Sequence, residues 1–236
     1  MKTFREFFCE SAVKNDHILD KFDMNSSYEV IQSYLKGKIE HFCKLVEQSS
    51  FYESDLLWRG FRTGGLSLLD SCLLRIKSRS NFRGAVDIMS SAVDRILTLL
   101  KLKDKPIIFT VHDKSYASFF GTPYIVVPEE PFVSYMSEEV RDLKNIESTI
   151  NKEQGGKTIE AIKADSEQKI KEYAESYKLY KNSIPYHPEN EVIINCDSYY
   201  MLSPLLINKL GKKKKLSEIK TYKALVTELR AYFDIK

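Results

Sequence analysis

The chain has 236 residues, 43% of them apolar, and a formal charge of +3, enough for one sizeable core or one core with a helical appendage. No apolar run approaches the roughly 20 residues that span a bilayer, and so small a charge does not by itself imply nucleic acid. Four scattered cysteines, Cys9, Cys43, Cys72 and Cys196, make no CxxC pair and have no histidine at ligand spacing. They read as reduced, mostly packed thiols with no zinc site.

In chain order, Phe4, Phe7 and Phe8 fall at helical spacing in an amphipathic N-terminus. Ser26 and Glu29 form a capping box ahead of a helix whose apolar face is Ile31, Leu35, Ile39, Phe42, Cys43 and Val46. A strand over Leu56–Trp58 runs into Arg59 and Gly60, followed by a polar loop with Gly64-Gly65. Leu66 to Ile76 reads as helix or buried strand, and a basic cluster spans Arg75 to Arg83. Val86, Ile88, Met89, Val93, Ile96, Leu97 and Leu100 mark a second amphipathic helix between Ala85 and Leu102.

Pro106 to Phe109 opens a strand that continues into Thr110-Val111-His112; a short helix is expected from Ser115 to Gly121. Thr122 to Val127 is expected to form a strand that makes a hairpin-like pair with it. The segment Ser137 to Asn182 is Glu- and Lys-rich with helical periodicity broken at Gly155-Gly156, which predicts a helical hairpin inserted between core strands. Its charged face reads as solvated, although Tyr177 and Tyr180 are placed to lie over a cleft. Lys212 to Lys215 precedes a final helix, Leu216 to Phe233. That lysine run and the Arg75–Arg83 cluster could contact phosphates, but no aromatic residue interleaves the lysines to stack bases, so a solvated loop is the preferred reading. No Walker loop, GxGxxG, GxSxG or HExxH occurs.

The most informative stretch is Pro188-Glu189-Asn190-Glu191-Val192-Ile193-Ile194, two acids at the mouth of an apolar run. As members of a strand, Glu189 and Glu191 would project side by side from one face. Taken with Leu56-Leu57-Trp58-Arg59-Gly60 and Phe109-Thr110-Val111-His112 in this order, it resembles the ADP-ribosyltransferase family of the arginine–serine–glutamate class. The resemblance covers roughly Asp55 to Ser203. Its middle box departs from the pattern, Thr110-Val111-His112 standing where serine–threonine–serine is usual.

The resemblance implies an α+β fold: a split β-sandwich of two small, mainly antiparallel sheets around a cleft, with surrounding helices and the charged insertion at about 137–182. It implies NAD as substrate, with Glu191 on the ribose 2′-hydroxyl and Glu189 orienting or deprotonating the acceptor. Arg59 would hold the pyrophosphate, Thr110 would hold Glu191, and His112 and Tyr116 would contact the cofactor, Phe119 being a second aromatic that could stack on nicotinamide. Each has a plainer alternative: strand-end pairing for Arg59, strand packing for Thr110, a surface position for His112, core packing for Tyr116 and Phe119.

Separately, Met1-Lys2-Thr3-Phe4-Arg5-Glu6-Phe7-Phe8-Cys9-Glu10 resembles the capsid-targeting peptide of internal head proteins of T-even-type phages, with Phe8 in place of the usual aliphatic residue. It implies a cut after Glu10, a single domain over 11–236, and a place first in the virion head and then in the host cytoplasm. Jointly the two resemblances imply a packaged mono-ADP-ribosyltransferase acting on a host protein. The alternative is a catalytically inactive protein of that fold, serving as a head component or as an inhibitor of a host defence protein.

Overall fold

The computed structural model describes residues 28–61, 73–78, 91–143, 146, 159–203 and 219–236. Along the chain these form α1 (Tyr28–Gln48), β1 (Leu57–Phe61), β2 (Leu73–Lys77), α2 (Ser91–Leu99), β3 (Ile107–Val111), α3 (Lys114–Ser118) and β4 (Thr122–Pro128). After them come β5 (Val133–Met136), α4 (Ile159–Ser176), β6 (Lys178–Lys181), β7 (Glu191–Asn195), β8 (Ser198–Leu202) and α5 (Tyr222–Phe233). Ser26 of the capping box, the N-terminal peptide, Gly64-Gly65, Arg79–Arg83 and the lysine run all lie outside the described residues.

The fold is mixed α and β. Eight strands make one antiparallel sheet in the order β2-β8-β4-β1-β3-β7-β5-β6, which is not closed into a barrel. Among the described residues, its two halves, β2-β8-β4-β1 and β3-β7-β5-β6, are joined in the strand ladder by the pair Trp58↔Val111. The chain passes from β7 to β8 with only Cys196 and Asp197 between them. In a flat sheet those strands would lie four spacings apart, about 19 Å. The three Cα steps from Asn195 to Ser198 span at most about 11 Å. The sheet must therefore bend sharply at its waist, bringing the two halves over one another.

The burial pattern agrees. One apolar cluster takes Leu57, Ile125, Val126 and Met201 from the first half and Ile108, Val192 and Ile194 from the second, together with Phe42 and Val46 of α1 and Leu225 and Leu229 of α5. A second cluster packs Val93, Ile96 and Leu97 of α2 and Ile170 and Ala174 of α4 against Ile107, Phe109 and Ile193. Both pleats of β3 and β7 are thus covered, which is why their sequences are continuous apolar runs instead of alternating ones. Cys43 and Cys196 are free and buried, and burial pushes both thiols up to about 12. No described helix is long and apolar enough to cross a membrane.

Several expectations need correction. Strand β4 does not pair with β3; it pairs with β1 and β8, because β3 is taken by β7. The segment expected as a helical hairpin starts as a loop over Ser137–Leu143, residues 147–158 lie outside the described residues, and α4 follows; Lys178–Lys181 then leaves the helix as β6 and pairs with β5. Tyr177 lies between the end of the helix and the strand, and Lys-Leu-Tyr-Lys makes an edge strand whose charged ends suit an exposed edge. The last helix begins at Tyr222, not Leu216, since Thr221 is its N-cap, accepting from the Ala224 amide at 3.2 Å.

That last helix anchors the strand leading to the waist. Leu56 N donates to Lys220 O at 2.7 Å and Tyr222 N to Ser54 O at 3.1 Å. The fully buried Tyr222 hydroxyl donates to Val126 O and accepts from Leu57 N. Tyr222→Phe keeps the ring but strips partners from two buried main-chain groups, so we expect a loss of about 1–3 kcal/mol in urea unfolding with an unchanged slope.

Candidate functional site

Strands β1, β3 and β7 are neighbours in that order, so the Trp-Arg-Gly segment, Thr110 and the acidic pair are brought to one stretch of sheet. They are not all on one pleat. Val111 pairs with both Trp58 and Glu191, which puts these three in one row. Thr110 pairs with Val192 in the opposite row, to which Arg59 also belongs by its position next to Trp58. Arg59 Nη1 reaches the carbonyl of Phe109 at 3.4 Å. Its guanidinium therefore enters the split where β1 and β3 part company. Thr110 is buried and donates to Val192 O at 3.0 Å.

Glu189 and Glu191 do not project side by side. Strand β7 begins at Glu191, so the two-residue alternation does not extend back to Glu189. The Glu189 side chain is 61% exposed, with Arg141 Nη1 at 3.5 Å, an exposed pair of small energetic weight. Glu191 is 6% exposed. What covers it is the loop from Ser137 to Leu143. Glu191 N donates to Arg141 O at 2.9 Å, and Leu143 N lies 3.5 Å from Glu191 Oε2. Buried Asn190 donates to Ser137 O at 2.7 Å. Ser137 Oγ in turn accepts from Glu139 N and Val140 N and bonds Ser176 Oγ at 2.6 Å, fixing the loop to the end of α4.

Beside Glu191 stand three groups from three other elements. Asp142, 3% exposed, accepts a hydrogen bond from the Tyr116 hydroxyl of α3. The Arg141 guanidinium lies over the Tyr116 ring, 5.8 Å from its centre. Tyr177, 8% exposed, follows α4, and its hydroxyl has no hydrogen-bond partner. Burial holds the Tyr116 and Tyr177 phenols above their usual range; Asp142, through its hydrogen bond and charge, and Glu191, through its charge, add to this for Tyr116. For Tyr177 the charges of Glu191 and then Asp142 act after burial. The cluster is two carboxylates and two phenols, able to stabilise positive charge or to accept a proton. No group of three or more His, Cys, Asp or Glu that could hold a metal occurs among the described residues.

The other expected contacts fall differently. Phe119 is 72% exposed, not core, with its ring edge-on to Tyr116. His112 is largely buried, Nδ1 lying 3.1 Å from Leu56 O and Nε2 2.9 Å from Pro185 O, which ties β3 to the entry of β1 and to the loop before β7. Arg75 of the basic cluster makes a two-point bond with Glu129 at 2.9 Å, so it braces β2 against the end of β4. A separate groove of about 440 Å³ between α2 and α4, lined by Arg95, Leu99, Glu167 and Ile170 among others, contains none of these groups. Asp142 was not legible in advance: one aspartate in a Glu- and Lys-rich segment carries no spacing signal. Tyr177 is one of the two tyrosines the sequence offers as able to lie over a cleft.

Two measurements follow from this geometry. Helix α3 is held against β1 at Gly60, where an added Cβ would meet Ala117 O at 2.3 Å. Gly60→Ala must displace the helix that carries Tyr116, and should cost about 1–3 kcal/mol in thermal or urea unfolding. Burial lowers the His112 pKa below 6.5 despite two carbonyls that favour the charged ring. The unfolded chain therefore binds this proton more readily, and stability falls as pH drops through 6.5 toward the lower folded value. In urea titrations between neutral and mildly acid pH, His112→Gln should show a shallower acid loss than wild type. Comparison with known protein families, with curated proteins and with solved structures gives no match to this chain.

Proposed function

We propose that the protein is an NAD-dependent mono-ADP-ribosyltransferase, packaged in a phage head and delivered to modify a host protein. The observation that carries this reading is the adjacency of β1, β3 and β7, which brings Arg59, Thr110 and Glu191 to neighbouring strands beside the waist of a folded-over sheet, Glu191 in one side-chain row and Arg59 and Thr110 in the other. In the reaction the bond between the ribose C1′ and nicotinamide breaks, and positive charge develops on the ribose. A carboxylate in a low-dielectric setting stabilises that charge more strongly than one in water. Glu191, buried beneath the Ser137–Leu143 loop that carries Asp142, is the residue suited to it. Arg59, with its planar fork in the split between β1 and β3, is the candidate pyrophosphate ligand. The delivery half of the proposal rests on the first ten residues of the sequence.

A second reading has its own support. The polar atoms of Thr110 and His112 bond main-chain carbonyls, and Glu191 lies under the Ser137–Leu143 loop. Those features favour a protein of this architecture that has given up catalysis and serves as a head component or an inhibitor of a host protein. One experiment separates the two. With labelled NAD and a bacterial lysate, the first reading expects wild type to label a discrete band, with Glu191→Gln reducing transfer by about 100-fold or more. No transfer, together with no NAD binding by calorimetry, favours the second.

A further inference from the structure

The acidic pair of the sequence is not the carboxylate pair of the interior. Glu189 stands at the exposed rim, opposite Arg141. Asp142 lies inside, and the main chain on either side of it is bonded to Glu191: Arg141 O accepts from Glu191 N, and Leu143 N faces Glu191 Oε2. Asp142 is therefore held beside Glu191 by two backbone contacts, and its carboxylate is oriented by the Tyr116 hydroxyl. An independent feature marks the same spot as built for a ligand. The Tyr177 hydroxyl is buried without a partner, on a side chain packed in one cluster with Val140 and Leu143 of the Asp142 loop and Ile193 of β7, and buried polar groups are almost always satisfied by something.

We propose that Asp142, and not Glu189, is the second carboxylate of the reaction site and takes the proton of the acceptor group. The inference rests on the ADP-ribosyl transfer proposed above and assigns one of its roles. The lone pair of the acceptor nitrogen or oxygen forms a bond to the ribose C1′. The C1′–nicotinamide bond breaks, its electron pair leaves with nicotinamide, and the ring passes from cation to neutral. The acceptor's proton goes to the Asp142 carboxylate and from there to water. Glu191 faces the developing charge on the ribose, and the Tyr177 hydroxyl hydrogen-bonds the bound molecule. The outward Glu189–Arg141 pair forms the rim of the site.

The test uses the full chain with labelled NAD and a bacterial lysate, reading transfer and nicotinamide release for wild type, Asp142→Asn and Glu189→Gln. Asp142→Asn should lower kcat for transfer by about 100-fold or more while KM for NAD stays within about threefold. Glu189→Gln should leave both within about threefold, as suits a rim residue. The reverse pattern, or an Asp142→Asn variant as fast as wild type, overturns the assignment while leaving the transferase reading intact. An inactive wild type overturns the transferase reading itself, and the assignment with it. Circular dichroism checks that each variant is folded. If Asp142→Asn is not, Tyr116→Phe decides: it keeps both carboxylates but removes the orienting hydroxyl. It should lower kcat by about tenfold at unchanged KM if Asp142 accepts the proton, and an unchanged kcat overturns the assignment.

Discussion

Everything else in the structure depends on how two four-stranded half-sheets are joined. They share one residue pair, Trp58 with Val111, and one two-residue link, Cys196-Asp197. The first leaves β1 and β3 free to part; the second forbids the halves to lie flat. Together they produce a bent sheet whose inner faces share one apolar core with α1 and α5. Residues beyond the waist on β1 lose their neighbour, and the Arg59 side chain bonds a β3 carbonyl across that gap. The arginine and the Phe109 carbonyl satisfy one another where regular pairing has stopped, as buried main-chain groups require.

The polar cluster beside the waist is the second feature with no purely structural need. Burying a carboxylate costs several kcal/mol unless hydrogen bonds offset it, and here two are buried near each other. The offset comes from local devices: a phenol on Asp142, the Leu143 amide facing Glu191, and a loop whose own amides are tied down by Ser137. Helix α3 and the end of α4 supply the phenols. A cluster assembled from β7, α3, a loop and the end of α4 has no single element that fixes it. Its geometry depends on all four docking correctly.

The legibility of the fold in the sequence follows from what each signal depends on. Core strands β3 and β7 were readable, because burial on both pleats makes continuous apolar runs; of β1 only the apolar start up to Trp58 carries that signal, ahead of the half-buried Arg59 and Gly60. Helices α1, α2 and the second arm of the charged segment were readable from their 3.6-residue period, with ends that ran long where capping chemistry decided them, as at Thr221. Strand partners were not readable. The pairing of β4 with β1 and β8 follows from long-range competition for β3, which no local pattern encodes. At the site, the sequence pointed to Glu191 and its neighbouring strands. It also suggested that Glu189 shares the face of Glu191, because spacing says nothing about where a strand begins. Asp142 enters the cluster through contacts 48 and 50 residues distant in sequence, Leu143 to Glu191 and Arg141 to Glu191.

The two-residue link between β7 and β8 also limits movement. It joins the end of the strand that carries Glu191 to the opposite half-sheet, so the halves cannot slide apart at that edge by more than the link can stretch. Any opening of the bent sheet must then be a rotation about this link, like covers turning on a spine, with little displacement at β2, which pairs directly with the linked strand β8. Changes in chain length between β7 and β8 would alter the angle between the covers, as would changes in the four-residue link from Glu129 to Phe132, which also joins the halves, between β4 and β5.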